Sequence, residues 1–188
     1  MRIIIKAVKE ERQAFIDYLA ERLPHAEFCF DERRSCMDTF LRSLEMAGDD
    51  PCIHMEDDIL LTKDFVRKAN HVITRKPFSL IQFFSMRKKD ITVGSRWDND
   101  YLMNQCFYAP PTYSRLMREY ADAWMDGFLS TNPHHSGGTD LMMKHFLKDR
   151  REKYWIHCPN LVDHRIAKSV IDPRRSSKRQ SLTFTDCW

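Results

Sequence analysis

The sequence is poor in glycine and has neither a long apolar run nor a pair of closely spaced cysteines. No run approaches the roughly 20 apolar residues that cross a bilayer as a helix, which excludes a membrane-spanning class. The six cysteines contain no C-x-x-C pair, which argues against a structural zinc knuckle. Residues 1–6 do not form a secretory signal, because the apolar run is too short and ends in a charge. We therefore expect a cytoplasmic protein with free thiols and no stable membrane insertion.

The composition is that of one folded domain. Of the 188 residues, 43% are hydrophobic and 30% are charged, so a disordered chain is excluded. The net charge of +3 does not by itself indicate nucleic-acid binding. The charge is unevenly distributed, because residues 45–58 are acidic and residues 174–179 are basic. We expect a domain over residues 1–171 and a basic tail over residues 172–188.

Strand-like and helix-like segments alternate along the chain. Short β-branched or apolar runs predict strands, and apolar residues at helical spacing predict helices between them. The predicted strands are residues 3–8, 27–30, 52–55, 78–84 and 103–108, with a last segment at 154–162 that Pro159 interrupts. The predicted helices are residues 10–22, 38–47 with Asp38 as N-cap, 62–73, one opened by residues 110–112, and 139–148, while residues 87–100 are predicted to be a loop. The alternation favours an α/β layered domain.

An acidic triplet, Glu56-Asp57-Asp58, closes the third predicted strand. In extended backbone, alternate side chains share a face, so Glu56 and Asp58 are expected to point together and Asp57 away. The carboxyl end of a strand in an α/β sheet is where ligands bind, and carboxylate oxygens suit Mg²⁺ or Mn²⁺. The alternative is a solvated acidic turn. The apolar residues on both sides of the triplet favour a metal site, because unpaired carboxylates there would lose solvation.

Two later segments carry further candidate residues. Gly137 and Gly138 permit close approach of a ligand to the backbone just before a helix, and Asp140 would then act as a base or bind a hydroxyl group. The alternative is that Thr139 or Asp140 caps that helix. His164 follows a short apolar strand and is a candidate metal ligand.

Cations follow His164 along the chain and can neutralise a diphosphate leaving group. They are Arg165, Lys168, Arg174 and Arg175. Lys178 and Arg179 are expected to belong to a solvated charged tail.

Taken together and in this order, the three segments resemble those of GT-A glycosyltransferases. Residues 55–58 look like the D-x-D motif, with Glu56 in the first acidic position and Asp58 in the second. Residues 137–140 are similar to the glycine loop and the acidic residue of the acceptor-side helix. Residues 159–164 resemble the segment that supplies a carboxyl-terminal histidine. The nearest likeness is to lipopolysaccharide-type glycosyltransferase family 25 and its small phage-encoded relatives, over residues 1–171.

The resemblance implies a GT-A (Rossmann-like) fold with a mixed central sheet flanked by helices, and a nucleotide-sugar donor, most simply a UDP-sugar. Asp58 and His164 would hold Mn²⁺ or Mg²⁺, and Asp140 would face the acceptor. Glu56, Asp57, Gly137, Gly138, Lys168, Arg174 and Arg175 would contact the donor. Ala7 and Val8 would lie near the base, with Lys9 and Arg12 in reach of it. The chain departs from the family pattern in its short length and in having Glu rather than Asp at residue 56.

The acceptor remains open between two chemistries. The basic residues 87–89 and the nearby Trp97 and Tyr101 suit a hydroxymethylated base in phage DNA, with the rings stacking on a base. The protein would then act in the host cytoplasm. A lipopolysaccharide or other surface glycan is the alternative acceptor. Two other classes compete with the transferase: a metal-dependent phosphoesterase or nuclease that uses Glu56, Asp58, Asp140 and His164, and a non-enzymatic nucleic-acid-binding module.

Overall fold

The computed structural model describes residues 1–131, 138–166 and 179–185, apart from the side chain of Leu129. The described residues form an α/β layered structure with a seven-stranded mixed sheet, a two-stranded sheet and six helices. The α/β prediction is thereby confirmed, and the sheet is compatible with a Rossmann-like fold. The strands are β1 (Arg2–Ala7), β2 (Glu27–Phe30), β3 (Cys52–Glu56), β4 (Ile59–Leu61), β5 (Ile81–Gln82), β6 (Arg96–Asp98), β7 (Cys106–Ala109), β8 (Tyr154–Ile156) and β9 (Val162–His164). The helices are α1 (Gln13–Arg22), α2 (Cys36–Ala47), α3 (Phe65–Arg75), α4 (Lys89–Thr92), α5 (Tyr113–Thr131) and α6 (Thr139–Asp149).

The strand order brings several chain segments to one edge of the large sheet. The order is β2-β1-β3-β7-β5-β8-β6, and β4 pairs with β9 in the small sheet. Strand β1 is parallel to β2 and β3, whereas β7 runs antiparallel to β3. The carboxyl ends of β1 and β3 therefore lie beside the amino end of β7. The small sheet adjoins the same edge, because the Arg165 N–H donates to the Asp58 carbonyl oxygen at 2.8 Å.

Apolar side chains cover both faces of the large sheet. On one face, Leu19 of α1 and Phe65 of α3 pack with Ile53 in a cluster that continues to the small sheet. On the other face, Phe40 of α2 and Phe107 of β7 belong to a second cluster that includes residues of α5 and α6. Strand β1 is buried on both sides, which explains its run of isoleucines.

Several element boundaries differ from the sequence-based prediction. The strand predicted at residues 78–84 is limited to Ile81–Gln82, and the predicted segment 154–162 is divided between the two sheets as β8 and β9. The predicted loop at residues 87–100 contains α4 and the edge strand β6. Buried charge pairs hold this segment together, because Arg96 donates to Asp90 at 2.9 Å and Arg87 to Asp98 at 2.9 Å.

Two helix starts also differ from the prediction. The N-cap of α2 is Ser35 rather than Asp38, because the Ser35 hydroxyl accepts a hydrogen bond from the Asp38 backbone N–H at 3.2 Å. Helix α3 begins at Phe65 rather than after Thr62, and Asp64 precedes it in the left-handed region at φ 57°.

Candidate active site

A cavity of about 300 Å³ opens at the carboxyl edge of β1 and β3. Its walls come from segments that are far apart in the sequence: β1, the start of α1, the start of α2 with the residues before it, the end of β3, the residues before β7, the start of α6 and residue 179. The lining includes Lys6, Arg12, Glu56, Asp57, Asp58, Asn104, Gln105, Gly138, Asp140 and Arg179. This is the edge at which α/β sheets bind ligands.

The acidic triplet does not continue the strand. Strand β3 ends at Glu56, and the chain bends at residues 57 and 58. As a result, both carboxylates contact the same guanidinium nitrogen, Arg12 Nη1. This nitrogen donates a hydrogen bond to Asp57 Oδ1 and forms an ion pair with Asp58 Oδ2. The expectation that Asp57 points away from Asp58 is therefore wrong, because strand alternation requires extended backbone and the backbone bends here.

Asp57 holds the start of α1 against the end of β1. Its Oδ2 accepts from the Val8 N–H at 2.8 Å, while its Oδ1 accepts from Arg12. Burial raises the pKa of Asp57 to about 6, although Arg12 and the Val8 N–H act in the opposite direction. Asp57 thus fixes the position of Arg12, which stands at the N-cap of α1.

Asp58 and His164 form a buried pair. Asp58 Oδ2 lies 3.2 Å from His164 Nε2 and 2.8 Å from Arg12 Nη1. Burial by itself would raise the pKa of Asp58, but the hydrogen bond to His164 and the charge of Arg12 outweigh it and hold the pKa below its ordinary value. Burial would lower the pKa of His164, and the contact with Asp58 outweighs it, so that pKa is raised. The pair joins β9 to the end of β3.

The Asp58–His164 pair meets several requirements of a divalent-cation site. His164 Nδ1 lies 2.6 Å from the Arg165 carbonyl oxygen, a contact of the kind that directs Nε2 toward a metal. Two adjacent ligands of an octahedral ion at about 2.1 Å are roughly 3 Å apart, close to the observed Nε2–Oδ2 separation. Asp58 Oδ1 is buried and accepts no hydrogen bond from any described residue. These residues fit a Mn²⁺ or Mg²⁺ ion whose remaining ligands would come from phosphate and water.

Arginines supply positive charge at the same place. Arg179 Nη2 lies 3.0 Å from His164 Nε2, and Arg12 contacts Asp58. Within residues 1–131, 138–166 and 179–185, no group of three or more His, Cys, Asp or Glu side chains is arranged to hold a metal. Among the described residues, a divalent cation would therefore have two protein ligands at this point, and it would have to displace an arginine from one of them.

The start of α6 approaches the segment before β7. Gly138 occupies the N-cap position of α6, with no side-chain capping bond from a described residue. Instead of capping, Thr139 Oγ1 accepts from Asn104 Nδ2 at 2.7 Å, and Asp140 Oδ1 accepts from the Asn104 backbone N–H at 2.8 Å. These contacts place Asp140 in the wall of the cavity and disfavour the helix-cap interpretation of Thr139 and Asp140.

The structure brings together most of the described residues that the sequence singled out. Glu56, Asp57, Asp58, Gly138 and Asp140 line the cavity, whereas His164 is fully buried behind Asp58. The other donor-binding candidates, Gly137, Lys168, Arg174 and Arg175, lie outside the described residues.

The prediction that Arg179 is solvated is wrong, because it lines the cavity and contacts His164. Tyr101 cannot stack on a base, since it is fully buried against Tyr154. Trp97 is 46% exposed and packs edge-on against Trp155.

The polar cavity residues that sequence reasoning missed include Lys6, Asn104 and Gln105. Lys6 is 6% exposed, and its Nζ lies 3.7 Å from Glu56 Oε1. Its position offered a signal, because it is a charged residue within the buried part of strand β1, directly after three isoleucines. Nothing comparable marks Asn104 and Gln105, which reach the cavity only through the antiparallel pairing of β7 with β3.

Comparison with known proteins assigns no family to this chain. No protein-family model matches the sequence, and no curated protein gives a significant match. In the described part of the chain, no helix has the length and apolar character needed to cross a membrane.

Proposed function

We propose that the protein is a glycosyltransferase of the GT-A type that moves a sugar from a nucleoside-diphosphate sugar to a hydroxyl acceptor. One observation carries the proposal: a single cavity at the carboxyl edge of a mixed α/β sheet is lined by Asp58, Arg12, Arg179 and Asp140. Cations and a cation-binding carboxylate suit a diphosphate leaving group, and a second carboxylate suits the acceptor hydroxyl. A uridine nucleotide is the first donor to test.

In the proposed reaction, the acceptor oxygen forms a bond to the anomeric carbon while the bond from that carbon to the diphosphate oxygen breaks. Asp140 takes the acceptor proton. Arg12 and Arg179 stabilise the negative charge that develops on the diphosphate, and both already lie at the Asp58–His164 pair. A Mn²⁺ or Mg²⁺ ion held by Asp58 and His164 would add Lewis-acid charge at the same oxygens.

The proposed acceptor is a hydroxyl group on modified DNA, with a surface glycan as the alternative. The basic segment 87–89 supports DNA only in part. Arg87 is engaged by Asp98 at 2.9 Å, so Lys88 and Lys89 are the two exposed cations of that segment. Stimulation of the reaction by hydroxymethylated duplex DNA, lost at high salt, would favour DNA.

The first experiment measures release of nucleoside diphosphate from UDP-, GDP-, TDP- and CMP-sugars, the last as nucleoside monophosphate, with Mn²⁺ or with a chelator. We expect one donor to be turned over. We expect Asp58→Asn to reduce that rate by at least about 100-fold, as loss of a charge-stabilising group does in other enzymes. Asp64→Asn is the matched control, because Asp64 pairs with Arg67 outside the cavity and should not change the rate.

A comparison of variants separates the two sources of positive charge. If the metal dominates, the chelator abolishes the reaction and Arg12→Met has a smaller effect. If the arginines dominate, Arg12→Met abolishes it and the chelator does not. A folded wild-type protein that releases no nucleotide, or that hydrolyses phosphodiesters instead, would contradict the transferase assignment.

A further inference from the structure

Three long polar side chains form a row along the cavity: Lys6 of β1, Glu56 of β3 and Gln105 just before β7. Lys6 and Glu56 are register partners in the parallel pair of strands. The Glu56 N–H donates to the Gln105 carbonyl oxygen at 2.8 Å, which extends the antiparallel register of β3 and β7 by one residue. Register partners on adjacent strands carry their side chains on the same face of a sheet. We call these residues the edge row.

The two ends of the edge row have unmet hydrogen-bonding capacity. Lys6 is 6% exposed and Gln105 is 5% exposed, and both line the cavity. Neither Lys6 Nζ nor Gln105 Oε1 has a hydrogen-bond partner among the described residues. A buried polar group without a partner destabilises the folded protein, because it has lost its hydrogen bonds to water. The row therefore offers a donor and an acceptor that a bound ligand can satisfy after a small rotation of either side chain.

The surroundings of the edge row limit which ligand fits there. Beneath it, Phe40 packs against Phe107, and Lys6 Nζ lies 5.1 Å from the Phe40 ring centroid. Lys6 and Glu56 carry opposite charges, with Nζ 3.7 Å from Oε1, so the row carries little net charge. Donor and acceptor groups without net charge match the hydroxyl groups of a neutral sugar better than they match a phosphate or a carboxylate. The cations suited to phosphate, Arg12 and Arg179, are at the Asp58–His164 pair instead.

We infer that the edge row binds the hydroxyl groups of the transferred sugar and that Lys6 and Gln105 determine specificity for a neutral sugar. The inference rests on the proposed function and adds the class of the transferred group. Glu56 lies between Lys6 and Gln105 and hydrogen-bonds to hydroxyl groups of the same sugar. Arg12, Arg179 and the Asp58–His164 pair then serve the diphosphate of the same donor.

The test compares binding of a nucleotide with and without its sugar by titration calorimetry, in the presence of Mn²⁺. The probes are UDP, GDP, their neutral hexose conjugates and UDP-glucuronate. We expect the wild-type protein to bind one neutral conjugate more tightly than the free nucleotide and more tightly than the glucuronate. Gln105→Leu and Lys6→Met should each lower the affinity for that conjugate about tenfold, because each removes one hydrogen bond to the sugar. Binding of the free nucleotide should stay within twofold.

Controls separate the edge row from general damage to the fold. Lys76→Met removes a lysine that contacts Trp155 away from the cavity and should change no affinity. Gln105→Glu keeps the size of the side chain, so we expect its melting temperature to be near that of the wild-type protein. This variant can therefore still be measured if Lys6→Met fails to fold. It keeps an acceptor oxygen at the place of Gln105 Oε1, so it should weaken binding of the conjugate less than Gln105→Leu does.

The possible results of this titration lead to different conclusions. If Gln105→Leu and Lys6→Met lower the affinity for the free nucleotide and for the conjugate equally, or lower neither, the edge row does not bind the sugar. The proposed transferase function then stands. Preference for the glucuronate would also overturn the inference. If the folded wild-type protein binds no nucleotide or conjugate, the proposed function fails and the inference fails with it.

Discussion

At the scale of single residues, the burial of His54 shows how the sheet makes stability depend on pH. His54 is fully buried beneath the cavity, stacks on Phe107 with ring centroids 5.1 Å apart, and has Nε2 3.0 Å from the Ser114 hydroxyl. Burial lowers the pKa of His54 to about 3, and the positive charges of Lys6 and Arg2 contribute in the same direction. His54 is therefore neutral in the folded protein at neutral pH, and its protonation destabilises the fold.

This shift predicts a loss of stability in mild acid. The folded pKa is about 3, below the ordinary value of 6.5, so the stabilisation is fully present above pH 6.5 and declines as the pH falls toward 3. One such group changes the free energy of unfolding by up to about 1.4 kcal/mol per pH unit within that window. Urea unfolding at several pH values between 7 and 4 measures the slope.

His54→Asn supplies the comparison for this measurement, because it removes the titrating ring and keeps polar atoms near Ser114. The variant should be less stable at pH 7 and should lose less stability than the wild-type protein between pH 6.5 and pH 4. His157, whose pKa burial lowers to about 4, remains in both proteins and cancels in the difference. Parallel pH profiles for the two proteins would show that His54 is not the group responsible.

At the scale of elements, the N-terminus of α2 links helix stability to the cavity. Ser35 caps the helix through its hydroxyl, and Cys36 and Ser35 line the cavity. We expect Ser35→Ala to lower the free energy of unfolding by about 1 kcal/mol, as the loss of an N-cap does in other helices. Urea denaturation measures the change. Ser130→Ala near the end of α5 is the control, since its exposed hydroxyl donates to the Gly127 carbonyl oxygen within the same helix and its loss should cost little. Equal effects of the two substitutions would contradict a capping role for Ser35.

The elements also show what the sequence can and cannot predict. The alternation of the longer strands and helices was predictable, because the apolar run of β1 and the apolar stripe of α2 reflect burial that these segments experience in any arrangement. The bounds of β5 and the existence of β6 were not predictable. They depend on pairing with β8, which is distant along the chain, and β6 depends also on charge pairs such as Arg96–Asp90.

The residues of the candidate site also divide into those that the sequence predicts and those that it does not. Asp58, Asp140 and His164 were predictable because each ends or begins a recognisable element and belongs to a motif-like segment. Arg179 and Gln105 were not, since Arg179 reaches the cavity from the basic tail and Gln105 through the register of β7 with β3. The bend after Glu56 also escaped prediction, because a strand pattern gives no sign of where extended backbone stops. Charge and pattern identify candidate residues, and tertiary pairing decides which groups surround them.

At the scale of the whole molecule, the cavity joins parts of the chain that separate on unfolding. Segments near residues 6–12, 56–58, 104–105, 138–140 and 179 all contribute to its walls. A ligand that contacts several of them binds the folded state and not the unfolded chain, so it must raise the free energy of unfolding. At a free concentration 100 times its dissociation constant, the gain is about 2.7 kcal/mol. In a chain of this length, that raises the melting temperature by roughly 5–10 °C.

Binding of the donor nucleotide should therefore raise the melting temperature. We expect UDP or another nucleoside diphosphate with Mn²⁺ to raise the melting temperature of the wild-type protein in a concentration-dependent manner, measured by differential scanning fluorimetry. In Asp58→Asn, the part of the shift that requires Mn²⁺ should disappear, because the variant loses one of the two protein ligands proposed for the ion. The part that comes from the phosphates should persist through Arg12 and Arg179. A melting temperature unmoved by every nucleoside diphosphate, with the protein folded, would contradict the assignment of this cavity to a nucleotide donor. A shift that survives intact in Asp58→Asn would instead place the ion elsewhere and leave the arginines as the diphosphate-binding groups.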